Sequence, residues 1–372
     1  MDNLSDNAES YPSDIAARGQ ITAVTTRKAA ADPLKAPYFD SGRAEASIVR
    51  VGLSSPYRAG RFSLAATGLA DWRIKSLEPM QALTPGAPDA PGGRDVLVYV
   101  HGFNQTFESA TLDAARLSDA LKFRGDTVVF SWPSRNSLLA YMSDRESASF
   151  SRDALDDMFD DLLSNPNVGR VHIVAHSMGG MLTVEALRQV HARNKGYMSR
   201  FGAIVFAAPD IDVDGFSASV RRMGSLSRQM TVISATDDRA LAISASLAGG
   251  RRVGRLDKAA LEKLGLRVVD ASGLSGGFLR HDQFLNDTGV QKVVAEAIQN
   301  ARTGASMGSP SPVPIFEASP PPVTQEPLPA VPPAASPAPG PTAPAAPVVI
   351  TPGPTSSVPV SQVPAQPLAS TQ

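Results

Sequence analysis

Ser177 lies in the run VHIVAHSMGG, Val171 to Gly180, where an apolar strand-like stretch meets a helix-like one and the neighbouring residues are small. A side chain on so sharp a turn is pushed clear of the backbone, and the turn tolerates only small residues two positions away, here Ala175 and Gly179. The pattern reads A-x-S-x-G, with alanine where glycine is commoner. A serine hydroxyl is a weak nucleophile at neutral pH and needs an adjacent general base. With five histidines in the chain, that base can be sought by elimination. His101 opens the sequence HGFN, where its plain role is loop support; His172 falls inside a strand; His176 precedes Ser177 and should point away from it; His191 is near the end of the following helix. His281 is left, after the Gly-rich stretch SGLSGGFLR and directly before the final helix.

The imidazole needs a carboxylate to hold its tautomer and to stabilise its protonated form. Asp238 and Asp237 follow the strand-like TVISAT and fall between Ser177 and His281, while Asp210, after AIVFAAP, competes from one strand earlier. The order of preference is Asp238, Asp210, Asp237, against the alternative that all three only cap helices. Two backbone donors should face the developing oxyanion: the amide of Met178, directly after the nucleophile, and that of Phe103 in HGFN, where Gly102 lets the chain turn. The stretch from Pro133 to Phe150 has no evident regular element and is expected to cover the site, with Trp132, Leu138 and Tyr141, beside Phe103 and Met178, lining a pocket for an acyl group.

These groups have to be positioned by alternating strands and helices. From Asp95 onward, VLVYV, TVVFSW, VHIVA, AIVFAAPD, TVISATDD and LRVVD read as six short strands, separated by stretches long enough for crossover helices. One such helix carries Leu155, Met158, Phe159, Leu162 and Leu163 on one side, and the last helix should run from about Asp282 to Ala301. The expected fold class is α/β: a doubly wound, mostly parallel sheet with helices on both faces and chemistry at the carboxyl ends of the strands. Residues 1–45 read as mostly irregular, 46–302 as the catalytic domain, and 303–372 as a disordered tail. SIVRVGLSS and RFSLAA are candidate antiparallel strands on one edge.

Composition narrows the options. The stretch from Pro310 to Gln372 holds 20 of the 31 prolines and no lysine or arginine, too little to bury a core, so a disordered spacer is expected, with a protein partner for its P-x-x-P segments as the alternative. A net charge of −1 argues against nucleic acid as a partner, and the absence of cysteine removes disulfides and thiolate chemistry. The acidic run Asp153, Asp156, Asp157, Asp160, Asp161 has helical spacing and no turning glycine, so a solvated helix face is expected rather than a metal site. No leader and no transmembrane segment are visible in the sequence as written; a cytoplasmic protein is expected, or a periplasmic or lipid-anchored one if the true start lies upstream.

With VTTR at Val24 to Arg27, VYVHGFN at Val98 to Asn104, FSWPS at Phe130 to Ser134, AHSMGG at Ala175 to Gly180, AAPDID at Ala207 to Asp212 and DDRALAIS at Asp237 to Ser244, the chain resembles the esterase/lipase-like α/β-hydrolases over about residues 20–300. It looks most like a bacterial branch whose physiological substrates are undefined. The resemblance implies serine hydrolysis of a small-molecule ester through an acyl-enzyme, without a cofactor, and it favours Asp238, the carboxylate directly before R-A-L. Acyl transfer or thioester cleavage by the same residues, and a non-catalytic scaffold, are the competing expectations.

Overall fold

The computed structural model describes residues 13–32, 35–54, 72–85, 92–135, 137–238, 241, 244–246, 250–256, 258–272 and 287–304. The expected strand RFSLAA, His281 with the glycine-rich loop before it, and the proline-rich tail beyond Gly304 lie outside the described residues.

Nine strands form one sheet in the order β3-β2-β1-β5-β4-β6-β7-β8-β9. They are β1 (Gln20–Ala29), β2 (Phe39–Ser54), β3 (Arg73–Met80), β4 (Arg94–Val100), β5 (Asp126–Ser131), β6 (Val168–His176), β7 (Phe201–Ala207), β8 (Met230–Ser234) and β9 (Arg267–Asp270). From β1 across to β9 every pairing is parallel, and β2 and β3 extend the β1 edge in antiparallel fashion. The six strands expected from the sequence are β4 to β9. Their apolar runs follow from burial on both faces: Val96, Val98 and Val100 of β4 enter one core, and Leu97 and Tyr99, the alternate residues, enter the other. The edge strand β3 shows the contrasting pattern, with Arg73, Lys75 and Glu78 on a largely exposed ribbon.

Helices cover both faces. On one side lie α3 (Tyr141–Phe150), α4 (Arg152–Ser164), α5 (Met178–Arg193) and α6 (Val213–Met223); on the other are α1 (Asp14–Arg18), α2 (Phe107–Ala120) and α8 (Thr288–Thr303), while the short α7 (Lys258–Glu262) precedes β9. The five apolar positions expected on α4 are all buried, each worth about 1.5–3 kcal/mol on leaving water. A reciprocal cap starts α2 directly after HGFNQ: Ser109 N donates to Thr106 Oγ1 at 3.1 Å, and Thr106 N donates to Ser109 Oγ at 2.9 Å. No helix among the described residues is long and apolar enough to cross a membrane.

Two stretches differ from the sequence reading. Residues 1–45 were expected to be irregular, yet β1 is inserted between β2 and β5, and β2 begins at Phe39. The end of β1 buries Thr25, Thr26 and Arg27, and polar residues inside a sheet mask the hydrophobic signal of a strand. The second is Pro133–Phe150, where α3 forms and buries Tyr141, Asp144, Ser147 and Ala148. Half of that inner face is polar, so no apolar stripe announces the helix. The last helix begins at Thr288, capped by Asp287, whose Oδ1 accepts from Gly289 N and Val290 N.

Candidate active site

Ser177 is the turn between β6 and α5, and its backbone has φ 51° and ψ −121°. A residue with a side chain seldom adopts this geometry, which carries a strain of about 1–3 kcal/mol and persists only where the surroundings impose it. Three backbone hydrogen bonds do so: Ser177 N donates to Ala207 O at 3.0 Å, while Ser177 O accepts from Gly180 N at 3.0 Å and from Asp210 N at 3.1 Å. Close packing explains the small neighbours. A Cβ on Gly179 would lie 2.3 Å from His101 O, and one on Gly102 would lie 2.9 Å from Ser177 Cβ. The HGFN loop therefore abuts the serine directly. Ala175 is wholly buried in β6, paired with Val100 and Phe206, so alanine is accommodated at the first position of the motif.

The two aspartates that follow strand ends as buried groups sit in different surroundings. Asp210 is engaged at both oxygens: Tyr141 Oη donates to Oδ2 at 2.9 Å, Ser244 Oγ donates to Oδ1 at 2.5 Å, and the buried guanidinium of Arg252 brings Nε within 3.2 Å of Oδ1. Asp238, also buried, accepts from Leu241 N at 3.0 Å through Oδ1. Asp237 is exposed. Burial, with the charge of Asp210 beside it, raises the Tyr141 phenol above its usual pKa.

Of the histidines, His101 is fully buried against Trp132, and His172 is buried in β6 with Nε2 3.4 Å from Asp95 Oδ2 and Nδ1 accepting from Ala203 N at 3.0 Å. His176 is buried at the end of β6, and His191 is half-buried on α5. Trp132, expected at the pocket wall, is enclosed, and its indole Nε1 donates to His101 O at 2.8 Å. Phe103 is half-buried and meets the Tyr141 ring edge-on, with centroids 5.6 Å apart. Met178 is buried in the first turn of α5. Leu139 and Met142 on the same segment are exposed; the side chain of Leu138 lies outside the described residues.

Behind the HGFN loop is a buried polar group to which the sequence reading assigned no role. Arg27 donates through Nε to Ser131 Oγ at 2.9 Å, through Nη1 to Ser134 O at 3.0 Å and through Nη2 to Gln105 O at 2.7 Å. Burial lowers its pKa to about 10, against the opposing charges of Glu108, Asp144 and Asp40. Ser134 Oγ donates to Asp144 Oδ2 at 2.6 Å, and burial raises the Asp144 pKa even though Ser134 and the Arg135 amide favour its charged form. VTTR and FSWPS were visible as motifs, and polar residues ending an apolar strand were the available signal for this contact.

The elbow, the loop packed on it and the parallel sheet beneath agree with a family model described as "Alpha/beta hydrolase of unknown function (DUF900)", which matches residues 90–300, more than half of the chain. The chain belongs to this α/β-hydrolase family. No curated protein sequence matches this α/β-hydrolase. Among solved structures it is similar to Est1E from Butyrivibrio proteoclasticus, at 12% identity over 69% of this chain and 96% of that one, with a TM-score of 0.38. It is similar also to an esterase from Pyrobaculum calidifontis, at 13% identity over 70% and 82% with a TM-score of 0.32, and to the esterase domain of a Rhodothermus marinus protein, at 14% over 71% and 96% with a TM-score of 0.33. Likeness at this level carries no argument about the chemistry of this α/β-hydrolase.

Proposed function

We propose that this α/β-hydrolase cleaves small-molecule carboxylic esters through an acyl-enzyme on Ser177. The observation that carries the reading is the strained backbone of Ser177 at a strand-to-helix junction, with Gly102 of the HGFN loop packed on its Cβ. That arrangement holds a buried hydroxyl at the carboxyl end of the parallel strands, directly against the HGFN turn. In this mechanism His281 takes the Ser177 proton as the oxygen attacks the ester carbonyl, and Asp238 holds the imidazole and stabilises its charged form. The amides of Phe103 and Met178 receive the oxyanion, each worth roughly 3–4 kcal/mol of barrier. The alkoxide then departs with the proton from His281, and water repeats the sequence on the acyl-enzyme. Asp238, directly before R-A-L, is the acid in this reading, and Asp210, engaged by Tyr141, Ser244 and Arg252, is the alternative. Phe103 and Tyr141 face the acyl group, and Trp132 supports the loop from behind.

Labelling with a fluorophosphonate probe tests this reading. Ser177 in the wild-type protein is expected to label, Ser177→Ala is expected not to, and hydrolysis of p-nitrophenyl esters should fall by roughly 10⁶ in kcat in that variant. A folded wild-type protein that neither labels nor hydrolyses any ester in a chain-length series overturns it.

A further inference from the structure

We infer that Arg27 is a positioning residue for the oxyanion donor, acting through Ser134 and Gln105 to clamp the backbone on which the Phe103 amide is carried. The inference rests on the ester-hydrolase reading for the donor's role, while the clamp itself rests on the contacts alone.

The Phe103 N–H belongs to the peptide unit whose carbonyl is Gly102 O. In a trans peptide the N–H points opposite to the C=O, so whatever fixes one end fixes the other. His101 Nδ1 lies 2.7 Å from Gly102 O, and the Gly102 Cα rests against Ser177, so this unit is held on its near side. On its far side the chain turns through Asn104, a residue with φ 64°, which an L side chain adopts reluctantly. The turn is maintained by Ser134 Oγ, which accepts from Asn104 N at 2.9 Å and from Gln105 N at 3.3 Å, and by Arg27 Nη2, which donates to Gln105 O.

Arg27 ties these holders to the sheet. It lies on β1 two residues beyond Thr25, the last residue paired with β5, and its one plane of donors reaches Ser131 at the end of β5, Ser134 just beyond it, and Gln105 at the end of the loop. A planar guanidinium can address three acceptors in fixed directions at once; an ammonium at the same depth cannot. Asp144 on α3 closes the arrangement by accepting from Ser134 Oγ, which leaves that oxygen's lone pairs directed at the two loop amides. A charged arginine that is 2% exposed is expensive to bury for packing alone. Its contacts converge on the loop that meets the nucleophile.

The test is Arg27→Lys in the full chain, with three readouts. Steady-state hydrolysis of a p-nitrophenyl ester should lose on the order of 10²-fold in kcat with KM within about threefold, the result of a misplaced donor rather than a lost binding contact. Affinity for an alkyl boronic acid, which forms a tetrahedral adduct on serine, should fall in parallel with kcat. Hydrogen exchange at the amides of Phe103, Asn104 and Gln105 should accelerate by about tenfold or more while Val98 and Ile173 keep their protection. Ser134→Ala, a smaller change that keeps the Arg27 bond to the residue 134 carbonyl, should give the same pattern at about tenfold in kcat and decides the matter if Arg27→Lys fails to fold. A folded variant with unchanged kcat and exchange, or one whose melting temperature falls while kcat measured well below it is unchanged, overturns the inference. A wild-type protein with no esterase activity overturns the ester reading instead, and the exchange measurement then judges the clamp by itself.

Discussion

The imidazole of His101 lies face to face with the indole of Trp132, their centroids 4.8 Å apart and their planes 9° from parallel. Backbone groups of the same two segments hold the ring at both nitrogens. Trp132 N donates to Nε2 at 3.1 Å, and Gly102 O, which can only accept, faces Nδ1 at 2.7 Å. Nε2 also lies 3.1 Å from Trp132 O, so backbone groups engage both nitrogens of the ring. Complete burial holds its pKa well below the ordinary value, and the charge of Arg27 acts in the same direction. His172 is in a similar position, with burial lowering its pKa even though Asp95 favours the charged form.

Stability should consequently depend on pH in a defined window. For a histidine whose folded pKa lies below its unfolded value of about 6.5, the unfolded chain binds the extra proton first, so stability is complete above about pH 6.5 and declines as pH falls below it. His101 and His172 together give a limiting slope of about 2.7 kcal/mol per pH unit, and His191, lowered by burial and by Lys195 and Arg222, adds in the same direction. The raised carboxyl of Asp144 works in the opposite direction, because the folded chain binds its proton first, and the lowered one of Asp95 works in the same direction as the histidines. Urea unfolding at pH 7.5, 6.5 and 5.5 should show a plateau and then a fall. His172→Gln should make the fall shallower by about one proton, and a wild-type profile flat from 7.5 to 5.5 would show that these rings are not held neutral.

The elbow glycines should separate sharply in their tolerance. Alanine at 179 brings a Cβ to 2.3 Å from His101 O and 2.7 Å from Val100 O, both backbone atoms of the strand end beneath the site. Relieving that overlap means moving β4 or the elbow, at about 3 kcal/mol or more, together with most of the activity. Alanine at 180 meets side-chain atoms of Ile211, Phe206 and Pro209 at 3.3–3.4 Å and gains helix propensity of about 1 kcal/mol. Gly180→Ala is expected within about 1 kcal/mol of wild type in urea unfolding. Equal losses at both positions would mean that the elbow is packed less tightly than its contacts indicate.

How far the sequence revealed this molecule depended on where polar groups were buried. Strands β4 to β9 were legible because Val96, Val98 and Val100, or Ile204 and Phe206, fill both cores with apolar side chains and leave an unbroken run. The elbow was legible for a related reason: Gly179 stands where the backbone of Val100 and His101 approaches too closely for anything larger. Strand β1 and helix α3 were not legible, since Arg27, Thr26, Asp144 and Ser147 are buried polar residues that break the apolar pattern. Thr26, for example, is bonded to Ser151 at 2.7 Å. The occupied state of Asp210 was hidden in the same way, because its three partners come from α3, from the stretch after β8 and from the residues before α7.

Asp210 and Asp238 can be told apart by what each loses on becoming an amide. Asparagine at 210 leaves the Arg252 guanidinium buried without its counter-charge, a change of about 3–5 kcal/mol in stability for a pair this enclosed. It also disturbs the bonds that hold Tyr141, and with it α3, over the end of β7. Asparagine at 238 keeps a side-chain oxygen for Leu241 N, so the local turn should survive with a change of about 1 kcal/mol or less. An amide cannot stabilise an imidazolium or select the required tautomer, and kcat should drop by about 10⁴. Urea unfolding and p-nitrophenyl ester kinetics on both variants therefore give opposite signatures: Asp210→Asn unstable, with the folded fraction largely active, and Asp238→Asn stable and nearly inactive. Asp237→Asn, at an exposed position, should stay within about 0.5 kcal/mol and retain its rate. A stable, inactive Asp210→Asn beside an active Asp238→Asn would transfer the acid role to Asp210 and make its bonds to Tyr141 and Ser244 part of the catalytic relay.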